Sequence, residues 1–326
     1  MIAESLTVML VLALTVSALA GPWVLRRAAP ALVRAPRTSA ALLTGSVVSW
    51  VITALALGPL LAWITSGPVL LPGSAADVCQ RCLAAANPFP TATIDTGIPA
   101  AVLLALSALG AAGLAIMVGA EAHRQRRATT RTAHRLRVWA EPRQVLGHSV
   151  LVIDDARPFA LTLPRRHGGI FISKGTLRAL TRDELAAVLA HEHAHLYQRH
   201  HLITTTVASI CRPLRWLPMM VAVEDALGHY LEIAADDAAR RRVGTPALAS
   251  ALLTLGEHAH HAGHEAPLDG ALHALGPDRI RHLVQPHTGP AGLLAALTTT
   301  SYLATLVLLA TTVYLPYLGA ALSGCA

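Results

Sequence analysis

Four long apolar stretches, none with a charged residue, constrain this chain most strongly. They cover residues 6–25, 40–64, 98–120 and 292–315. A helix needs roughly 20 apolar residues to cross a bilayer, and each stretch is long enough. Any one of them could be a buried core helix, but four stretches this long and uncharged favour membrane spans. The charged fraction of only 14%, against about 25% in soluble domains, also indicates an integral membrane protein.

The arginines predict how the chain crosses the membrane. Basic residues follow the first stretch and the third stretch, and such residues stay preferentially in the cytoplasm. They are Arg26, Arg27, Arg34, Arg37, Arg124, Arg126, Arg127, Arg131, Arg135 and Arg137. We therefore expect a multi-pass protein of the cell membrane with both termini external. Three spans and an external loop (66–97) make up residues 1–120, a cytoplasmic domain covers 121–290, and the fourth span with a short external tail covers 291–326.

The first stretch has an alternative interpretation as a cleaved signal peptide, since Ala18-Leu19-Ala20 resembles a cleavage site. Only the acidic Glu4 precedes the apolar run, however, and the positive charges follow it. This order favours a retained anchor.

Three cysteines fall on the predicted external side, where thiols oxidise. Cys79 and Cys82 are spaced as in some zinc sites, but there is no second such pair, so a disulfide is favoured. Cys325 could tie the tail to the loop, and the pairing stays open. The net charge of +7 comes from arginines beside apolar segments, so we expect contact with lipid and no direct nucleic-acid binding.

The polar region predicts a small α+β domain. Residues 150–153, 159–163 and 170–172 have the alternating or β-branched character of strands. Thr181, with Glu184 three residues later, forms a capping box at the start of a helix. A second helix covers 225–242, Thr245-Pro246 opens a third, and 257–269 is expected to be a polar loop.

The capped helix carries His191-Glu192-His193-Ala194-His195. Residues i and i+4 share a helix face, so the two outer imidazoles, His191 and His195, can bind one catalytic zinc ion. Glu192 is rotated by one position, so its carboxylate can reach a zinc-bound water without binding the metal. It could then act as general base and acid in cleaving a peptide bond.

A third ligand is expected from the next acidic helix. Glu232 and Asp236 are also four residues apart; Glu232 would bind zinc, and Asp236 would accept the other ring N–H of a ligand histidine. His229, one turn before Glu232, is a candidate donor to an oxyanion. His193 points away from the His191–His195 face. His200 and His201 are interpreted as interfacial and not as ligands, although Arg199-His200 could have a structural role.

The segment 202–223 is apolar enough for a fifth span, but it contains Arg212, Pro213, Arg215 and Pro218. Arginines are costly inside a bilayer. A single crossing would also place Glu232 on the opposite side of the membrane from His191. The segment must therefore lie at the interface, dip in and return, or pack on the cytoplasmic domain.

The motifs together resemble the membrane gluzincin peptidases. The matching runs are Gly169 to Ser173, Leu185 to His195, Arg199-His200-His201, and Glu232-x-x-Ala235-Asp236. The span layout is closer to the peptidase domain of the β-lactam sensor/antirepressor family, and the motifs are also similar to the heat-shock and prenyl-protein membrane proteases. The resemblance implies a zincin-like domain with metalloendopeptidase activity, an extended substrate pairing along Ile170–Ser173, and a winged-helix repressor as a substrate or pathway partner. Only about eleven residues follow the last span, so we do not expect β-lactam sensing.

The sequence thus predicts a mainly α integral membrane protein with four spans and a cytoplasmic zinc endopeptidase domain acting on a protein or peptide, in regulatory proteolysis. The alternatives are a general membrane quality-control protease and a non-proteolytic signalling scaffold with structural zinc. A transporter is disfavoured because the spans hold almost no polar groups.

Overall fold

Three long helices open the chain in the computed structural model, which describes residues 2–66 and 100–261 together with isolated helical positions between 297 and 311. The helices are α1 (Ile2–Leu32), α2 (Pro36–Ser66) and α3 (Ala100–Val138). Within them, Val8–Leu32, Pro36–Pro59 and Val102–Val138 are long and apolar enough to cross a membrane. This confirms three predicted apolar helices. Most of the fourth stretch, residues 67–97 of the predicted external loop, and Cys79, Cys82 and Cys325 lie outside the described residues.

A four-stranded sheet follows α3. Its strands are β1 (Ala140–Val145), β2 (His148–Ile153), β3 (Ala160–Thr162) and β4 (Ile170–Ser173). The spatial order is β1-β2-β4-β3. The sequence predicted the last three strands but not β1, whose residues are largely exposed and show no hydrophobic alternation. A tight turn at Leu146-Gly147, both with positive φ, joins β1 to β2, as hairpin turns require.

The expectation that Ile170–Ser173 pairs along a substrate is wrong. β4 is an inner strand, parallel to β2 on one side and antiparallel to β3 on the other. Its backbone groups are therefore already paired within the sheet. Ala160–Thr162 forms the outer strand on this side of the described sheet, and it packs against the helix that carries the histidine motif.

Five further α-helices lie between residues 174 and 261. They are α4 (Lys174–Ala179), α5 (Arg182–Tyr197), α6 (His200–Cys211), α7 (Pro218–Val243) and α8 (Thr245–His261). The predicted capping box of α5 is confirmed: the Thr181 N–H donates to the Glu184 carboxylate at 2.8 Å, and the Thr181 hydroxyl accepts from the Glu184 N–H. The Ser250 hydroxyl of α8 also donates to Glu184.

Helix boundaries differ from the sequence prediction in three main places. α3 continues to Val138, beyond the end of the apolar stretch at residue 120. α7 begins at Pro218, well before the predicted 225, because Pro is favourable in the first turn of a helix and this turn packs in an apolar core. The prediction of a loop from residue 257 is wrong for residues 257–261, which continue α8. Residues 262–269 lie outside the described part.

The segment 202–223 forms most of a helical hairpin, made by α6 and the first turns of α7, that packs against α1 and α2. An apolar core joins these four helices and includes Ala18, Leu32, Leu43, Val47, Val207, Met220 and Leu227. The hairpin returns the chain, so the second half of α7 lies against α5. This arrangement positions Glu232 to meet the histidines of α5.

Candidate metal centre

The first part of the centre lies on one face of α5. His191 and His195 stand one turn apart, and their Nε2 atoms are 3.1 Å from each other. Both side chains are mostly buried, with exposures of 12% and 18%. The capping box and the run of alanine and leucine keep this segment helical. Local sequence alone therefore brings two nitrogen donors to one point.

Glu232 of α7 brings an oxygen donor to the same point. Its Oε2 lies 3.4 Å from Nε2 of His191, and its Oε1 lies 3.5 Å from Nε2 of His195. Two ligand atoms about 2.0–2.1 Å from a tetrahedral zinc ion stand roughly 3.3 Å apart. The three observed separations match that edge length. Among the described residues these side chains form a group whose ligand atoms all lie within 4.8 Å of one another, and two imidazoles with one carboxylate suit zinc.

Asp236 lies behind His191. Its Oδ1 is 2.9 Å from the Nδ1 of His191, and its side chain is only 3% exposed. Burial lowers the pKa of His191, but Asp236 and Glu232 outweigh this effect and raise it to about 10. The Asp236 carboxylate thus lies beside Nδ1 of His191, and Nε2 is the nitrogen that faces His195 and Glu232.

His200 lies behind His195, which the sequence analysis did not predict. The Nδ1 atoms of the two rings are 3.0 Å apart. The Nε2 of His200 is 3.1 Å from Oε1 of Gln198, and that oxygen also accepts from the Nε of Arg37 at 2.9 Å. Burial, followed by the nearby His195, lowers the pKa of His200 to about 3. His200 is therefore a neutral, buried ring in contact with His195, and not merely an interfacial residue.

Glu192 is buried at 9% exposure and contacts the edge of the sheet. The hydroxyl of Thr162, in β3, lies 2.7 Å from Oε2 of Glu192 and 3.0 Å from its backbone carbonyl oxygen. The sequence analysis placed residue 162 in a strand but gave it no role. No local pattern pairs a strand residue with a helix residue thirty positions later.

Two other histidine candidates, His193 and His229, have ring contacts outside this group. The ring of His193 contacts that of His148 edge to face, with ring centroids 5.3 Å apart, on a different side of α5 from His191 and His195. His229 is exposed on α7, with its ring centroid 5.9 Å from that of Tyr230. Its proposed contact with an oxyanion stays a prediction.

Comparisons with known proteins find similarity to peptidases in the region that contains this donor set. Residues 123–255 match the family model described as Peptidase family M48. The match covers less than half of the chain and includes all four of His191, Glu192, His195 and Glu232.

Curated relatives match over a shorter segment. The chain is 35% identical over 81 residues to "Protease HtpX homolog" of Thermodesulfovibrio yellowstonii, which is 24% of this chain and 29% of that protein. It is 33% identical over 73 residues to the protein of the same name from Syntrophotalea carbinolica, covering 22% of the chain and 26% of the relative. It is 36% identical over 73 residues to the protein of the same name from Desulfatibacillum aliphaticivorans, covering 22% of the chain and 24% of the relative.

The chain thus spans about a quarter of the length of the curated relatives it matches. No solved structure matches it. The predicted resemblance to membrane zinc peptidases is confirmed at the level of family M48. The closer relation to the β-lactam sensor branch stays a prediction.

Proposed function

We propose that the chain is a membrane-embedded zinc metalloendopeptidase that hydrolyses peptide bonds of a protein substrate. The observation that carries this proposal is the convergence of His191, His195 and Glu232, whose donor atoms stand between 3.1 and 3.5 Å apart. Glu192 is the residue after His191, and its carboxylate contacts the hydroxyl of Thr162 at the edge of the sheet. The match of residues 123–255 to Peptidase family M48 supports the same activity.

In this proposal His191, His195 and Glu232 hold one zinc ion, and Asp236 orients the ring of His191. When bound, zinc would polarise the scissile carbonyl and make a water molecule acidic enough to attack near neutral pH. Glu192 accepts a proton from the attacking water as its oxygen bonds to the carbonyl carbon. Glu192 then gives that proton to the amine as the C–N bond breaks. His229 is proposed as a donor to the oxygen that gains charge in this step.

The outer strand Ala160–Thr162 is the proposed binding edge for an extended substrate. Its neighbour β4 occupies one side, and the other side is an outer edge of the described sheet. A peptide that adds to a free strand edge gains backbone hydrogen bonds without sequence preference. Because Thr162 contacts Glu192, a peptide on this edge would pass close to the proposed base.

We also propose a cytoplasmic catalytic domain and external termini. The three apolar helices support a membrane location, and the arginines at 26–37 and 124–137 support the orientation. The packing of α7 on α1 and α2 supports a centre close to the membrane surface. Single cysteines introduced near residues 35 and 140 should react with a membrane-impermeant maleimide only after intact cells are opened.

Regulatory proteolysis is the proposed role, with a winged-helix repressor as a candidate substrate, and general quality control of membrane proteins is the alternative. The activity is tested with purified full-length protein, loaded with zinc, on an unfolded protein such as casein. Glu192→Gln should retain zinc and lose cleavage. Equal cleavage by both forms would remove Glu192 from the mechanism, whereas zinc binding without any cleavage would favour a scaffold with structural zinc.

A further inference from the structure

We infer that three side chains, Arg37, Gln198 and His200, form a hydrogen-bond chain that fixes the tautomer of His195 and so strengthens metal binding. This series is called the Arg37 chain below. The inference rests on the proposed zinc function, and it assigns a positioning role to residues outside the ligand set. It also connects the start of α2, a candidate membrane span, to the metal centre.

The Arg37 chain begins with a side chain that can act only as a hydrogen-bond donor. The guanidinium of Arg37 carries only donors, and its Nε lies 2.9 Å from Oε1 of Gln198. The Gln198 side chain must therefore present its oxygen, not its NH2 group, to Arg37. Its amide nitrogen is buried without a hydrogen-bond partner in the described part of the chain.

The orientation of the Gln198 amide determines which ring nitrogen of His200 carries the proton. The same Oε1 lies 3.1 Å from Nε2 of His200, and an amide oxygen can only accept, so Nε2 must carry a proton. The His200 side chain is buried, and the whole residue is only 4% exposed. In such a setting the neutral ring is favoured because burying a charge is costly. A neutral ring protonated on Nε2 has its lone pair on Nδ1.

The position of the lone pair on His200 determines which ring nitrogen of His195 carries the proton. The two Nδ1 atoms are 3.0 Å apart, so Nδ1 of His195 must be the donor. The lone pair of His195 is then on Nε2, which faces His191 and Glu232. Each contact from Arg37 to His195 thus has one donor and one acceptor, and the nitrogen of His195 that would bind the metal is left with its lone pair.

The backbone of the α5–α6 connection makes this contact possible. Arg199 adopts a left-handed conformation with φ of 54°, which bends the chain directly after α5. The bend brings His200 back onto His195, five positions earlier. The two ligand histidines are therefore oriented from different elements, His191 by Asp236 of α7 and His195 by His200 at the start of α6.

The test measures the zinc dissociation constant of the full-length protein in detergent, by competition with a chromophoric chelator. The visible absorption of the cobalt-loaded site is a second readout. Gln198→Leu removes the acceptor for both Arg37 and His200, whereas Gln198→Glu keeps an oxygen that accepts from both. Arg37→Gln removes the first donor. Arg26→Gln removes an equal charge from an exposed arginine near the end of α1 and serves as the matched control.

Loss of a residue that orients a metal ligand typically weakens metal binding about 10–100-fold. We expect a loss in this range for His200→Ala and Gln198→Leu, with a changed cobalt spectrum. A smaller loss is expected for Arg37→Gln, and wild-type binding for Gln198→Glu and Arg26→Gln. Wild-type affinity and spectrum in both Gln198→Leu and Arg37→Gln would overturn the inference. Rescue by Gln198→Glu distinguishes positioning from a general loss of fold. If the wild-type protein bound no zinc, the proposed function itself would fail.

Discussion

The hydroxyl of Thr162 donates to the carboxylate of Glu192 across a distance of 2.7 Å. This contact joins the outer strand β3 to the helix that carries the histidines. One side chain thus lies on the proposed substrate edge and also contacts the proposed catalytic carboxylate. A peptide seated on β3 would meet a base whose orientation is already set, and such preorganisation lowers the barrier to reaction.

Replacing Thr162 by Val should reduce turnover because the side chain keeps its shape but loses the donor. A hydrogen bond to a charged group contributes about 1.5–3 kcal/mol, so kcat should fall about tenfold or more. The zinc content should not change. Steady-state kinetics on a fluorogenic peptide will separate kcat from KM. Thr162→Ser keeps the hydroxyl and is the matched control; equal kcat for Ser and Val would show that the hydroxyl does not orient Glu192.

Replacing Glu232 by Ala should remove most of the bound metal. The three donor atoms form a nearly regular triangle, and two imidazoles one turn apart bind zinc less tightly than a three-ligand set. Metal analysis after dialysis should find zinc in the wild-type protein and little in the variant. Asp225→Ala removes an exposed acid from the same helix and should leave the zinc content unchanged. Full zinc occupancy in Glu232→Ala would contradict the ligand assignment.

Zinc binding should release a proton at neutral pH. The pKa of His191 in the metal-free centre is about 10, because Asp236 and Glu232 outweigh the effect of burial. The ring is therefore protonated at pH 7, and a metal at Nε2 must displace that proton. Apparent zinc affinity should rise with pH up to about 10 through this group.

Calorimetry at pH 7, in buffers of different ionisation enthalpy, should show about one proton released per zinc ion through His191. Asp236→Asn removes a carboxylate that raises the pKa of His191. Zinc binding to this variant should therefore release less than one proton per ion. His193→Ala, which alters a ring outside the centre, is the control. If Asp236→Asn and the wild-type protein released the same number of protons on zinc binding, the assignment of the positive charge to His191 would be contradicted.

Local signals in the sequence were sufficient to predict α5 and to place His191 and His195 on one of its faces. The Thr181–Glu184 cap, the helical run and the spacing of His191 and His195 all lie within seventeen residues. The acidic pair Glu232 and Asp236 was found because it repeats the same spacing on a second helix. Each prediction rests on positions that one or two helical turns bring together.

The features that were missed depend on the tertiary fold. The contact between Arg37 and Gln198 joins positions 161 residues apart, and no periodicity links them. The strand at Ile170–Ser173 was predicted correctly, but the expectation that a substrate pairs along it came from the family resemblance. That expectation failed because β2 and β3 pair with both edges of this strand, and the sequence does not show which strands lie beside it. His200 was underestimated because its contact with His195 requires the left-handed bend at Arg199, a conformation that favours Gly and that an arginine does not signal.

Gly21 should be sensitive to substitution because α1 and α7 approach closely there. A Cβ added at Gly21 would lie 2.8 Å from Cγ and 2.9 Å from Cβ of Met219, which is too close for packed carbon atoms. Small residues permit such close helix packing in membranes. Gly21→Ala should therefore push α7 away from α1 and destabilise the fold by about 1–3 kcal/mol, as overpacking does.

Gly45 in α2 is the matched control, because a Cβ added there meets nothing within 4 Å. Gly45→Ala should leave stability unchanged or raise it slightly, since Ala is the better helix former. Thermal unfolding in detergent should give a lower apparent Tm for Gly21→Ala only. Because α7 carries Glu232, the same variant should also bind zinc more weakly. Equal Tm values for the two variants would mean that the Gly21–Met219 contact does not constrain how α7 packs on α1.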